Sequence, residues 1–132
     1  MGLNIGQPET VHSSLYGRRI AYKNSVAAQT VGNTALTFEA GLSLNNAVPS
    51  FALVKYHNGT FDSASITVDI GSNALCPASS LVGLAAGTVA ILNLSATVDI
   101  VTLTDTLQVN VAVGNSSGSA FDIDVFGFVY AS

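Results

Sequence analysis

An all-β fold is predicted by two features of the 132-residue sequence: apolar and polar residues alternate with a period of two, and turn residues recur every 8–12 positions or so. The alternation is clearest from Thr88 to Tyr130. In the middle of that run Leu107, Val109, Val111 and Val113 point one way and Gln108 and Asn110 the other, as in a strand with one buried face. The expected architecture is a single antiparallel β-sandwich, jelly-roll-like, over residues 25–132, with an extended N-terminal arm over residues 1–24 and at most one short helix.

Residues 1–24 lack a sustained period. Gly2, Gly6 and Pro8 break the chain, and Leu15, Tyr16, Ile20 and Tyr22 bracket a Gly17-Arg18-Arg19 turn. A free arm normally frays, so its apolar residues point to an arm tied down on something, or else to a first edge strand of the same domain. Val26–Val31 is a weak strand, closed by Gly32-Asn33. Residues 34–44 alternate, with Leu36, Phe38, Ala40, Leu42 and Leu44 on one face, and 45–49 form a loop. Phe51–Tyr56 is a strand. Asn58-Gly59 then supplies the positive φ angles of a tight hairpin, which predicts a return strand over 61–70 with Ala64, Ile66, Val68 and Ile70 inward and Ser63, Ser65, Thr67 and Asp69 outward. Residues 71–87 break the rhythm, and Leu81, Leu84 and Ala85 at helical spacing suggest a turn or two of helix ended by Gly87. Strands follow at 88–94, 97–103, 106–113 and 120–130.

Only 9% of the residues are charged, against roughly 25% in an average soluble domain. A monomer of this mass would expose roughly 6,500 Å², leaving on the order of one charge per 500 Å². Such a surface is coated with Ser, Thr, Asn and Gly or hidden in subunit contacts. All four cations, Arg18, Arg19, Lys23 and Lys55, precede residue 56, and six aspartates follow without a cation. That asymmetry reads either as a basic segment docking on an acidic surface or as chance clustering. Nucleic acid is disfavoured as a partner for want of a basic stripe with interleaved aromatics. No stretch reaches the length of a membrane span, and Met1–Thr10 has no signal-peptide pattern. The lone Cys76, between Leu75 and Pro77, reads as a small buried apolar residue, and three sequons at Asn58, Asn93 and Asn115 read as turn chemistry.

Catalytic chemistry finds no constellation. His12 and His57 belong to no recognisable motif, and neither phosphate nor dinucleotide loops occur. The reading is therefore of a non-enzyme with no cofactor and no metal site. Asp122 and Asp124 share a strand face roughly 7 Å apart, where they either keep that face soluble or join Asp99 or Asp105 around a calcium ion. The same strand carries a more informative oddity. Phe121, Ile123, Val125 and Val129 form one face, while the other changes from Asp122 and Asp124 to Phe126, Phe128 and Tyr130. Those aromatics need a cover: a loop, the arm or a second subunit. With the arm, they give the candidate interface Arg18, Arg19, Tyr22, Lys23, Phe126, Phe128 and Tyr130.

The segments Ala86-Gly87-Thr88 through Leu94, Thr104–Val111 and Asp122-Ile123-Asp124-Val125-Phe126-Gly127 resemble small β-sandwich head decoration or cement proteins of tailed bacteriophages. The resemblance covers roughly the last 45 residues. It implies a capsid-bound homo-oligomer, a trimer at lattice symmetry axes, contacting the major capsid protein or another virion protein through an arm and located on the capsid surface after assembly in the host cytoplasm. The expected function is thus to decorate or cement a capsid lattice without chemistry. The alternative is a receptor- or glycan-binding tip domain of a phage fibre, because sandwiches display loops well.

Overall fold

The computed structural model describes residues 17–95 and 106–130. In chain order the strands are β1 (Arg18–Ala27), β2 (Gly32–Ala35), β3 (Thr37–Phe38), β4 (Ala47–Asn58), β5 (Ser65–Ile70), β6 (Asn73–Ala74), β7 (Ser79–Ser80), β8 (Val89–Asn93), β9 (Leu107–Val113) and β10 (Ala120–Val129). The described residues contain no helix. Two antiparallel sheets result, one in the order β3-β1-β10-β4-β8 and the other β2-β9-β5-β6, with β7 also pairing with β5. The all-β expectation is met, and two sheets on a common core are consistent with a sandwich.

Alternation decides which side chains form that core. Ile20, Val54, Phe121, Ile123 and Val125 from the first sheet join Ile66, Val68, Ile70, Leu107, Val109 and Val111 from the second in one buried apolar cluster. Each of the larger ones contributes about 2 kcal/mol of transfer free energy. The inward residues expected on β5 and most of those on β9 are buried as read, whereas Val113 at the end of β9 is half exposed. A register shift beside Ser65, its partner on β5, marks where that ladder ends.

Several expectations are corrected. Residues 18–24, read as the end of an arm, lie in β1, which pairs with β10 from Arg18↔Gly127 to Ala27↔Ala120. Apolar Ile20, Ala21 and Val26 are better satisfied in the core than in an arm. Residues 1–16, the rest of that expected arm, lie outside the described residues, as do the expected strand at 97–103, His12, Asp99 and Asp105. The strand expected over 34–44 divides at Leu36: β2 pairs with β9 in the second sheet and β3 with β1 in the first. Residues 39–46 then turn through the Leu42 N–H to Glu39 and Asn46 N–H to Ser43 bonds. Asn58-Gly59 does turn, with φ of +88° at Gly59, but it joins no hairpin. β4 pairs with β10 and β8, and the chain crosses to the other sheet to begin β5.

The short helix expected within 71–87, around Leu81, Leu84 and Ala85, is likewise absent. Ser79 and Ser80 bond to β5, and a turn closed by the Leu84 N–H on the Leu81 carbonyl carries both leucines into the core. A tight turn brings residues i and i+3 together much as a helix does, and a φ of +86° at Gly83 stops any continuation. Thr67 and Asp69 do stand on the outer side of β5, yet they are buried. They lie beside the long amides of Asn110 and Gln108, and the Thr67 hydroxyl donates to Asp69 at 2.7 Å.

Candidate functional site

The outer face of the first sheet is the most unusual surface of the molecule, and strand register builds it rung by rung. One rung runs Tyr22–Asp124–Leu53–Ile91 across β1, β10, β4 and β8; the next runs Arg19–Phe126–Phe51–Asn93. Beside them lie Asp122–Lys55–Val89 and, past a bulge, Phe128–Val48. Directly opposed residues share a face, so apolar side chains of three strands meet on the side away from the core. Phe51 and Phe126 stack with ring centroids 5.1 Å apart and planes 3° apart. Ile91 is 65% exposed and Val89 52%, and Phe128, Val129 and Tyr130 are all more than 40% exposed.

The bulge that shapes this patch depends on Gly127. A Cβ there would lie 2.0 Å from the Val48 carbonyl oxygen, so only glycine lets β4 approach β10 this closely. Past the bulge, β4 realigns so that Val48 stands opposite Phe128.

Both cations on the same face find carboxylates within the domain. The Asp124 carboxylate, its side chain only 8% exposed, accepts from Lys55 Nζ at 2.7 Å and from Arg19 Nη1 at 3.3 Å. Arg19 also donates from Nε to Glu39 and lies over the Tyr22 ring, 4.5 Å from its centroid. Its hydrogen bond to Glu39, more than any other influence, holds the guanidinium pKa above its ordinary value. Asp122 accepts the Ser25 N–H at 2.8 Å, fixing that residue at a φ of +56°, and faces His57 Nδ1 at 3.1 Å. Both Asp124 oxygens are engaged by cations and Asp122 accepts through Oδ1, and no group of three or more metal-ligating side chains occurs among the described residues, which do not include Asp99 or Asp105.

Of the residues expected at an interface, Arg19, Tyr22, Phe126 and Phe128 gather on this face, with Tyr130 just beyond the end of β10. Arg18 and Lys23 do not. They are registered against Gly127 and Ile123, which alternate to the other side of β10. Arg19 engages Glu39 and Asp124 of its own domain, so this cation is not held in reserve for an acidic partner. No protein-family model matches the chain, and neither a curated protein nor a solved structure matches it. What the face can do therefore rests on its own chemistry: its apolar residues can bind an apolar protein surface, and its Arg19 and Lys55 are already engaged by carboxylates of the same domain.

Sequence reasoning missed Val48, Phe51, Leu53, Val89 and Ile91. A signal was present in two places. Phe51, Leu53 and Lys55 alternate on β4 with the core residues Ala52 and Val54, and the first four residues of β8, Val-Ala-Ile-Leu, are apolar on both faces. Which face of each would be outermost depended on sheet order, which periodicity does not carry.

Proposed function

We propose that the protein is a non-enzymatic structural component of a virus particle, decorating or cementing a capsid lattice as a homo-oligomer. The observation that carries this reading is the apolar outer face of the first sheet, whose cations are held by carboxylates of the same domain. Its exposed Ile91, Val89 and Phe128 suit contact with a protein surface, and exposed aromatic and aliphatic clusters with few charges are characteristic of interface cores. The order of the strands supports the virion setting. Pairings nest from the outside of the chain inward, β1 with β10, β2 with β9, β4 with β8, and β5 with β6 and β7. Nested antiparallel pairing split between two sheets is how a jelly roll is wound, and jelly rolls are recurrent in capsid proteins. That link is analogy of fold, and the surface chemistry carries the functional part. The oligomer is a trimer on the phage-decoration resemblance, and its partner is the major capsid protein or another shell protein.

Electron cryo-microscopy of virus particles assembled with and without this chain tests the proposal. A regular array of density on the shell that appears only with the chain is expected, with lower occupancy for Phe128→Ser. Identical shells in both preparations, or the chain confined to a tail or fibre, would overturn it.

A further inference from the structure

β8 is the outermost strand of the first sheet, bonded to β4 on one side and to nothing on the other among the described residues. One hydrogen bond fixes the direction of its backbone groups. The Leu94 N–H donates to the Ser50 carbonyl at 2.9 Å. Because antiparallel pairs alternate, Leu92 and Ala90 also direct their N–H and C=O groups at β4, and Val89, Ile91 and Asn93 direct theirs at the open edge.

Protein edges are normally blunted by charge, proline, a bulge or short length. β3, β6 and β7 are two residues long, and β2 is four residues beginning Gly32-Asn33. β8 has no such protection. Val-Ala-Ile-Leu-Asn contains no charge and no proline, and its register with β4 is unbroken from Lys55↔Val89 to Phe51↔Asn93.

We propose that this edge pairs with β8 of a second copy, antiparallel about a twofold axis at Ile91. Such an axis sets Ile91 opposite Ile91 of the second copy and Val89 opposite its Asn93. All three outward-directed residues of each strand then meet outward-directed residues, so every open N–H finds a carbonyl. An axis between two residues would set outward groups against groups already bonded to β4, and an axis at Ala90 or Leu92 would leave one outward residue of each β8 without an outward partner in the other β8. The strand is uncharged, so no like charges are brought together, and Leu53–Ile91 continues into Ile91–Leu53 of the second copy as one apolar rung across the joined outer face. The inference rests on the self-association in the function proposed above and adds to it a twofold contact between copies of neighbouring trimers, since a threefold ring needs a head-to-tail interface of its own; it needs no particle. Five residues a side bury far less than the roughly 1,600 Å² of a standard interface, so the pairing is weak in dilute solution and gains from repetition on a lattice.

Disulfide trapping in the full chain tests it. In a Cys76→Ser background, Ile91→Cys and Val89→Cys are oxidised with diamide at high protein concentration, and covalent dimer is measured on non-reducing gels. Both positions are more than half exposed, so the fold is kept, as circular dichroism would verify. Hydrogen-bonded partners lie about 5.5 Å apart between Cα atoms, within disulfide reach. Ile91→Cys is expected to give at least five times more dimer than Val89→Cys, and Val89→Cys combined with Asn93→Cys to restore it. Ile91→Pro removes an N–H that β4 does not use and is expected to abolish concentration-dependent dimer in sedimentation. No dimer with Ile91→Cys would mean that another segment or partner covers the edge, and equal trapping at both positions would mean random collision; either overturns the pairing. A chain found on shells without twofold trapping would overturn this inference alone, whereas twofold trapping with no shell attachment would overturn the function alone.

Discussion

Phe51 of β4 and Phe126 of β10 stack with nearly parallel rings on the solvent side of the first sheet, their centroids 5.1 Å apart. Cross-strand aromatic pairs contribute about 0.5–1.5 kcal/mol beyond the area they bury. Both rings are half-buried, so each keeps a surface available to a partner. Phe51→Ala and Phe126→Ala are each expected to cost about 2 kcal/mol in denaturant unfolding, with a coupling of about 1 kcal/mol in the double-mutant cycle. Additive losses would show that the rings merely share a face.

The same rungs place one nearly buried carboxylate between two half-exposed cations. Asp124→Asn removes the counter-charge of Lys55 and one of the two acids facing Arg19, which keeps Glu39. Because the cations can turn to water, the expected loss is about 1 kcal/mol rather than the larger cost of stranding a buried charge. Raising the salt concentration should shrink the difference between the two proteins, since exposed charges are screened. A loss unchanged by salt would assign the effect to packing.

How far the sequence discloses this molecule depends on the kind of signal. Period-two alternation identifies the core residues of β5, β9 and β10, because a buried face imposes that period locally. It also exposes the double-sided character of β10, and Phe126 and Phe128 do fall on the outer face with Arg19 and Tyr22. Sheet membership is not local. Asn58-Gly59 has turn chemistry whether the chain returns along its own sheet or crosses to the other, and Leu81 and Leu84 have the same spacing in a helix and in a tight turn. Phe51, Leu53, Val89 and Ile91 joined the candidate site only once β4 was known to lie between β10 and β8. The charge asymmetry left two readings open for a related reason: Asp124 lies 105 residues from Arg19 in sequence and beside it in the sheet.

Acid should loosen the end of the fold where two loops meet. Asp62 accepts the Ser116 hydroxyl, the Ser116 N–H at 3.1 Å and the Ser63 hydroxyl at 3.2 Å, and these bonds, the Ser116 hydroxyl first, hold its pKa below the ordinary value. A carboxylate depressed in the folded state contributes stability that is complete above its unfolded pKa of about 3.9 and is lost as pH falls through the lower folded value. The thermal midpoint of the native chain should therefore exceed that of Asp62→Asn at pH 6, and the gap should close as the pH falls below about 4. The group is exposed, so the gap is small; one that widened with acid would contradict the assignment.

Beside that contact, Asn115 carries the connection between the loops themselves. Its side-chain oxygen accepts the N–H groups of Asp62, Ser63 and Ala64 at 2.8, 3.2 and 3.3 Å, and its amide donates to the Thr60 carbonyl and to the Ser119 hydroxyl at 2.9 Å. One side chain thus ties the β4–β5 crossover to the β9–β10 turn, linking both sheets at one end. It is 5% exposed, so this sequon asparagine is a fastening rather than a surface site. Asn115→Ala would leave the Ala64 N–H buried without an acceptor and release both loops, at an expected cost of about 3 kcal/mol. Ser119→Ala removes a single acceptor from the same amide and should cost no more than about 1 kcal/mol. Both are read from chemical denaturation. Equal losses would show that Asn115 fills space without organising the crossover, whereas a threefold difference would place the joint between the sheets in its side-chain oxygen.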